Sequence, residues 1–358
     1  MSESGRGQGS IGRAGRFHQR PVGVLLICLL PPGSLESACP DCLDTMLPPR
    51  AQKTVIQLIR IGILLILLVT TGLLYWVTAR VLRGFASVVA GETTCSFAQI
   101  IEGERYCRRK QRFADELVKQ VRLVEDASGL HHWQTRQGSF WTPNRMNKPS
   151  LVALLAEQES ELYGTGFVKP GEVVLDCGAN IGAFTRAALS AGARLVVAID
   201  PAPDVVRSLE HTFAEEIRLG RVIVYAKGVW DKDDFLILKE SHNSTMDSFV
   251  VDFRFRRPSA QRLPLTTIDK LVAELALPGI DVIKMDIEGA ERRAIRGAEA
   301  TIRSVRPRLM IAADHLPDDP VVLPELIRRL WPGYSMECGP CYQMTYHHGI
   351  SPDVLYFR

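Results

Sequence analysis

Val173-Val174-Leu175-Asp176-Cys177-Gly178-Ala179-Asn180-Ile181-Gly182-Ala183-Phe184-Thr185 passes from an apolar run, through two glycines, into a helical pattern. Val173 to Cys177 is short and apolar with glycine after it, which reads as a buried strand. Ala183 to Gly192 repeats apolar residues at helical spacing and stops on a glycine. Gly178 and Gly182 let the backbone turn tightly and let a ligand approach closely. The N–H groups that open the following helix have no partner within it and can serve that ligand.

The same alternation continues outward. Leu195 to Asp200, Val222 to Gly228, Asp281 to Asp286 and Arg308 to Asp314 read as further strands. Helical patterns lie at Ser150 to Tyr163, Pro203 to Phe213 and Ala290 to Val305. This βαβ order predicts an α/β fold with a parallel sheet covered by helices on both faces. The last segments, Gly333 to Cys338 and Asp353 to Arg358, are short and β-like and suit an antiparallel pair at the sheet's edge.

Asp200 ends the strand after the loop, where an acid can accept both hydroxyls of an adenosine ribose. The glycine spacing does not meet G-x-G-x-x-G, and the loop opens on Asp176. A carboxylate there repels a pyrophosphate and attracts an ammonium group. The loop therefore suits S-adenosylmethionine (SAM) better than a dinucleotide. The expected cofactor-binding set is Asp176, Gly178, Ala179, Asn180, Gly182 and Asp200.

In an open α/β sheet the ligand lies outside the carboxyl ends of the strands. Lys284-Met285-Asp286-Ile287-Glu288-Gly289-Ala290-Glu291 stands at such an end. If the strand continues, Asp286 and Glu288 point to one side. They can orient a substrate hydroxyl, bind a metal or accept a proton; Glu288 and Glu291 can equally cap the next helix. His315 follows the next strand on the same edge and suits general-base work. The expected catalytic set is Asp286, Glu288 and His315, with no resident metal. Methyl transfer from a sulfonium draws much of its rate from alignment.

At these residues the chain resembles the FkbM-type SAM-dependent methyltransferases. The matching pieces are Leu175 to Thr185, Ala198 to Pro203, Leu265 to Leu271, Asp281 to Glu291, Ile295 to Ala298, Arg306 to His315, Trp331 to Tyr334 and Val354 to Phe357. The resemblance covers Ser150 to Arg358. It implies a Rossmann-like sheet of seven strands with helices on both faces. It also implies O-methylation of a hydroxyl-bearing acceptor: a sugar, a lipid-linked compound or another small molecule. Asp200 stands where that family usually has Glu, and Asp314 precedes His315 where it often has another residue. The rival reading is a catalytically inactive, membrane-tethered binding or scaffold protein that keeps the fold. The intact loop and Asp200 favour the enzyme.

Ahead of this domain, residues 1–54 begin with a Gly, Ser and Arg-rich tract that cannot bury a core. Val22 to Leu30 resembles the apolar part of a signal peptide; alternatively, Met46 is the true start. Residues 55–82 read as a transmembrane helix. Ile61 to Ala79 carries no charge and, at 1.5 Å per residue, is about long enough to cross roughly 30 Å of hydrocarbon. Arg60, Arg80 and Arg83 flank it, and Tyr75 and Trp76 fit an interfacial aromatic belt.

Residues 83–149 read as a juxtamembrane helix and an ordered lead-in. The basic run Arg105, Arg108, Arg109, Lys110 and Arg112 is either a solvated helix face or a contact for anionic lipid. Residues 150–358 form the methyltransferase domain.

A net charge of +3 over 358 residues gives no case for a nucleic-acid partner. The expected partners are the small or lipid-linked substrate and the membrane. Eight cysteines in a chain of this length do not make a disulfide scaffold, so mostly reduced thiols in a reducing compartment are expected. The C-x-x-C pairs Cys39/Cys42 and Cys338/Cys341 flank the span and cannot share a zinc site across it. SAM is made in the cytosol, which predicts a single-pass membrane protein with a cytoplasmic catalytic domain. The charges closest to the span, Arg50, Lys53 and Arg60 against Arg80 and Arg83, lean slightly the other way.

Overall fold

The computed structural model describes residues 49–127, 129–237, 262–343 and 349–358. Val22 to Leu30, Met46 and the Cys39/Cys42 pair lie outside them. Helix α1, Pro49–Val89, crosses the point at Leu73 and Leu74 where the chain divides into two units. In the first unit the apolar side chains from Leu58 to Val69 stand exposed on every side of the helix. Among the described residues no helix is long and apolar enough to cross a membrane. The side chains of 73–81, which complete the apolar stretch, are not among those described.

In the second unit the end of α1 is followed by α2, Phe97–Gln120. Ser96 and Gln99 start it by capping each other's backbone N–H groups, which satisfies two donors that the first turn cannot. Strands β1 (Arg122–Ala127), β2 (Leu130–Thr135) and β3 (Gly138–Pro143) form an antiparallel sheet, so the lead-in is a β-meander. Leu117 of α2, Trp133 and Phe140 of this sheet, and Leu151 and Leu155 of α3 (Lys148–Glu159) share one apolar core.

The chain then alternates through β4 (Val173–Cys177), α4 (Ala183–Ser190), β5 (Leu195–Ile199), α5 (Pro203–Thr212), α6 (Ala214–Arg218) and β6 (Val222–Tyr225). A second small sheet follows, made of β7 (Gly228–Val229), β8 (Asp234–Ile237) and β9 (Arg262–Thr266). After it come α7 (Ile268–Glu274), β10 (Val282–Met285), α8 (Glu291–Arg296), α9 (Glu299–Val305), β11 (Arg308–Ala312) and α10 (Asp319–Leu330). The chain closes through β12 (Met336–Cys338), β13 (Cys341–Gln343), β14 (Ile350–Pro352) and β15 (Val354–Phe357).

The main sheet has seven strands in the order β12-β15-β11-β10-β4-β5-β6. β11, β10, β4, β5 and β6 are mutually parallel, and β15 runs antiparallel to β11 and β12. The expected edge pair and strand count are both present, in a mixed sheet. Every residue of β4, β5 and β10 is buried, as a central strand covered on both faces requires. One face packs against Leu271 of α7, Ile295 of α8, Ile302 of α9 and Leu323 of α10. The other packs against Ala188 of α4 and Leu209 of α5. From β4 the chain builds outward through β5 and β6, then returns to place β10 on β4's other side. The strand order therefore reverses between β4 and β10, the position where such sheets bind ligands.

Two expectations are corrected here. The helix read from Ala290 to Val305 is broken into two after Arg296, at Gly297, where a Cβ would stand 1.9 Å from the Trp230 carbonyl oxygen. Cys95 and Cys341 are joined in a disulfide rather than held as thiols. The start of α2 packs on the β13–β14 hairpin, in an apolar cluster with Ile100, and brings the two sulfurs together across 246 residues of sequence. Cys341 thus pairs away from Cys338, and the C-x-x-C at 338–341 lies between two strands.

Candidate active site

The loop after β4 bends through three left-handed residues, Gly178 (φ 79°), Asn180 (φ 47°) and Gly182 (φ 81°). The Gly178 and Ala179 N–H groups both donate to the Ile199 carbonyl at the end of β5, each at 3.0 Å. A Cβ on Gly178 would stand 1.9 Å from the Asp286 carbonyl oxygen. The glycine is therefore required by the close passage of this loop across the end of β10. One on Gly182 would strike the Phe213 ring at 2.3 Å. Both contacts are with the protein itself, where the sequence suggested room for a ligand.

Asp176 is fully buried. One carboxylate oxygen accepts from the Thr185 hydroxyl at 2.6 Å, and the other faces Lys284 Nζ at 3.2 Å. Its charge is answered inside the sheet, not by an opening toward a ligand's ammonium group. Lys284 also donates to the Gly178 carbonyl at 2.9 Å and lies over the Tyr163 ring. Burial opposes the lysine's charge, but Asp176 and Asp286 outweigh it and hold its pKa above the usual value. Sequence reasoning passed over Lys284. Its signal was a cation inside the otherwise apolar run Val282 to Met285.

Asp200 is nearly buried beside the same loop. Its oxygens accept the Asn180 N–H at 3.3 Å and the Ala202 N–H at 3.0 Å. Burial pushes its pKa up to about 6, against the pull of those two bonds. Ala179 is buried within the loop.

β10 ends at Met285, so Asp286 and Glu288 do not share a strand face. A turn with Glu288 at φ 55° and Gly289 at φ 93° brings them together instead. His315 meets both: its Nε2 is 3.7 Å from Asp286 Oδ1 and 3.6 Å from Glu288 Oε2. Asp314 Oδ1 is 3.9 Å from the same nitrogen. Glu291, fully buried, holds the other side of the ring, with Oε1 3.0 Å from Nδ1 and 2.8 Å from the Ile287 N–H. Glu291 thus closes the turn before α8 rather than capping that helix, and it orients the histidine as well.

Burial raises the Glu288 carboxyl to about 7 and the Asp314 carboxyl to about 6. For His315, burial opposes the charge, but Glu291, Asp286 and Asp314 win and push it up to about 11. The imidazole is a cation among carboxylates at neutral pH, unlike the neutral base expected from its ordinary value.

The cofactor-side residues and the acid cluster meet across the switch point, since the Asp286 N–H donates to the Cys177 carbonyl at 3.1 Å. Among the comparisons with known proteins, residues 176–336 match the methyltransferase FkbM domain family. That family implies SAM as the cofactor. No curated protein matches the sequence. The crystal structure of methyltransferase FkbM from Methylobacillus flagellatus KT is 19% identical with a TM-score of 0.40, over 71% of this chain and 59% of that one. Trm5b from Pyrococcus abyssi is 14% identical with a TM-score of 0.39, over 66% and 57% of the two chains. A SAM-dependent methyltransferase from Agrobacterium tumefaciens is 10% identical with a TM-score of 0.38, over 65% and 70%. The chain thus spans under two thirds of the length of the first two structures.

Proposed function

We propose that this chain, with an FkbM methyltransferase domain over residues 176–336, is a SAM-dependent O-methyltransferase acting on a hydroxyl of a sugar, lipid-linked or other small acceptor. One observation carries the reading. The Gly178 loop, the Asp200 carboxylate and the Asp286–His315 corner converge at the reversal of strand order between β4 and β10.

The residues fit the cofactor. Each Asp200 oxygen takes one backbone N–H and keeps a lone pair, so the carboxylate can accept two ribose hydroxyls. When bound, SAM supplies an electrophilic methyl group on a sulfonium. Lys284, tied to Asp176 and to the Gly178 carbonyl, keeps the loop in register. Asp286 and Glu288 hold the acceptor hydroxyl facing the loop. The partly exposed carboxylate of Glu288 would take the proton that the acceptor hydroxyl gives up on methylation. Alignment supplies most of the rate.

The test is incubation of the full chain with methyl-labelled SAM and cell extract, followed by mass spectrometry. A labelled hydroxyl-bearing product is expected. Asp286→Asn should lower turnover far more than SAM affinity; an equal loss in both would make Asp286 a cofactor ligand. A wild-type protein that binds SAM but labels nothing supports the inactive scaffold instead.

The membrane anchor belongs to the same proposal. Ile61 to Ala79 is uncharged, and the apolar side chains from Leu58 to Val69 are exposed all round, as a lipid-facing helix requires. The domain faces the cytosol, where SAM is made. The Cys95–Cys341 bond pulls the other way, since disulfides persist in oxidising compartments. A reporter fused after Arg358 decides between them: activity only outside the cytosol would overturn the orientation.

A further inference from the structure

We propose that Asp286, Glu288 and His315 form a binding site for one divalent metal ion of the Mn2+ type. The proposal rests on the reading of this corner as the acceptor end of the site, and it gives that end a chemistry. One ligand atom from each of the three residues lies within 4.8 Å of the other two. His315 Nε2 stands 3.7 Å from Asp286 Oδ1 and 3.6 Å from Glu288 Oε2. Two ligands each about 2.1 Å from one ion lie about 3.0 to 4.2 Å apart, depending on the angle between them. Both His315 spacings already fall in that range.

A separate observation comes from behind the histidine. Glu291 is fully enclosed; its Oε1 meets His315 Nδ1, and its Oε2 has no hydrogen-bond partner among the described residues. A carboxylate on Nδ1 fixes the ring so that Nε2 faces the two acids, the arrangement found behind metal-ligating histidines. An incoming ion displaces the Nε2 proton to solvent and takes its place between Asp286 and Glu288.

The ligand set selects the metal. Two carboxylates and one imidazole, without a thiolate, suit Mn2+ or a similar mixed nitrogen and oxygen binder. Three protein ligands leave coordination positions open. An acceptor hydroxyl in one of them would be oriented toward the Gly178 loop and would lose its proton more readily. The substrate class this favours is a compound with two adjacent oxygens that can chelate the ion.

The test is a Mn2+ titration of the full-length protein in detergent, following loss of the free-ion electron paramagnetic resonance signal. SAM binding is measured by calorimetry in the same samples. One ion per chain is expected. Asp286→Asn and Glu288→Gln should each weaken Mn2+ binding more than about tenfold, and Glu291→Gln about 10- to 100-fold. Glu299→Gln, an exposed acid on α9, should leave it unchanged. Circular dichroism checks that each variant is folded; Glu288, partly exposed, is the safest of them. No binding by folded wild type, or unchanged binding in folded Glu288→Gln, overturns the proposal. Protein that binds SAM but not Mn2+ overturns the metal site and leaves the methyltransferase reading. Protein that binds Mn2+ but not SAM does the reverse.

Discussion

On the β4–β5 side of the switch point, Asp176 is met by Lys284 and Thr185, and Asp200 by two backbone N–H groups. On the β10–β11 side, four carboxylates crowd one imidazole, and a buried oxygen of Glu291 has no hydrogen-bond partner among the described residues. Asp176 Oδ1 also has no hydrogen-bond partner among the described residues, but it faces Lys284 in a buried ion pair, so the charges of the first side hold the sheet together and position a loop. The second gathers four carboxylates around the His315 imidazole, with Lys284 acting on Asp286 from the sheet side, and it is here that a ligand cation fits. Substitutions at Asp176, Gly178 and Lys284 should act mainly on stability, one at Asp200 mainly on cofactor affinity, and those on the second side mainly on chemistry.

The largest effect is expected at Gly178. A valine there meets the Asp286 carbonyl and also strains a left-handed backbone. Gly178→Val should prevent the sheet from closing, read as loss of a cooperative thermal transition; a folded Gly178→Val protein would break the comparison. Next is Lys284→Met, which leaves Asp176 buried without its cation. Breaking such a pair costs about 3 to 5 kcal/mol, or a fall in Tm of at least about 6 °C. A Tm within about 2 °C of wild type would place the weight of that side elsewhere.

A smaller effect is expected from pH at Asp200. Its folded pKa of about 6 lies above the ordinary value of 3.8, so the folded chain holds this proton more tightly than the unfolded chain does. Its contribution to stability is therefore greatest below about pH 4 and declines as pH rises through about 6. Cofactor binding needs the ionised carboxylate and runs the opposite way. SAM affinity should fall about tenfold for each unit below about pH 6 if ionisation is required. Calorimetry at several pH values checks this; an affinity flat down to pH 5 would remove Asp200 from the cofactor site.

Much of this contrast was legible in the sequence, though unevenly. The β4 loop and Asp200 could be read because glycine spacing and strand ends are local features. Asp286, Glu288 and His315 were found as residues, but the turn that joins the first two was not. A run of alternating acids reads as strand until Gly289 and the left-handed Glu288 are seen. Lys284 and Glu291 stood in plain view, and their roles depend on partners from other elements, Asp176 and His315. The Cys95–Cys341 bond joins positions 246 residues apart, and nothing in their spacing announces it. The small β7–β9 sheet escaped notice because its strands are short and its middle one, β9, carries Pro264.

The most direct test of the central claim is a calorimetric titration of the full-length chain with SAM, wild type beside Asp200→Ala. The account predicts one site per wild-type chain and at least a tenfold loss of affinity in a variant that keeps its fold, the cost of about one charged hydrogen bond or more. A folded wild-type protein that takes up no SAM, or an Asp200→Ala protein that binds it equally well, would contradict the account.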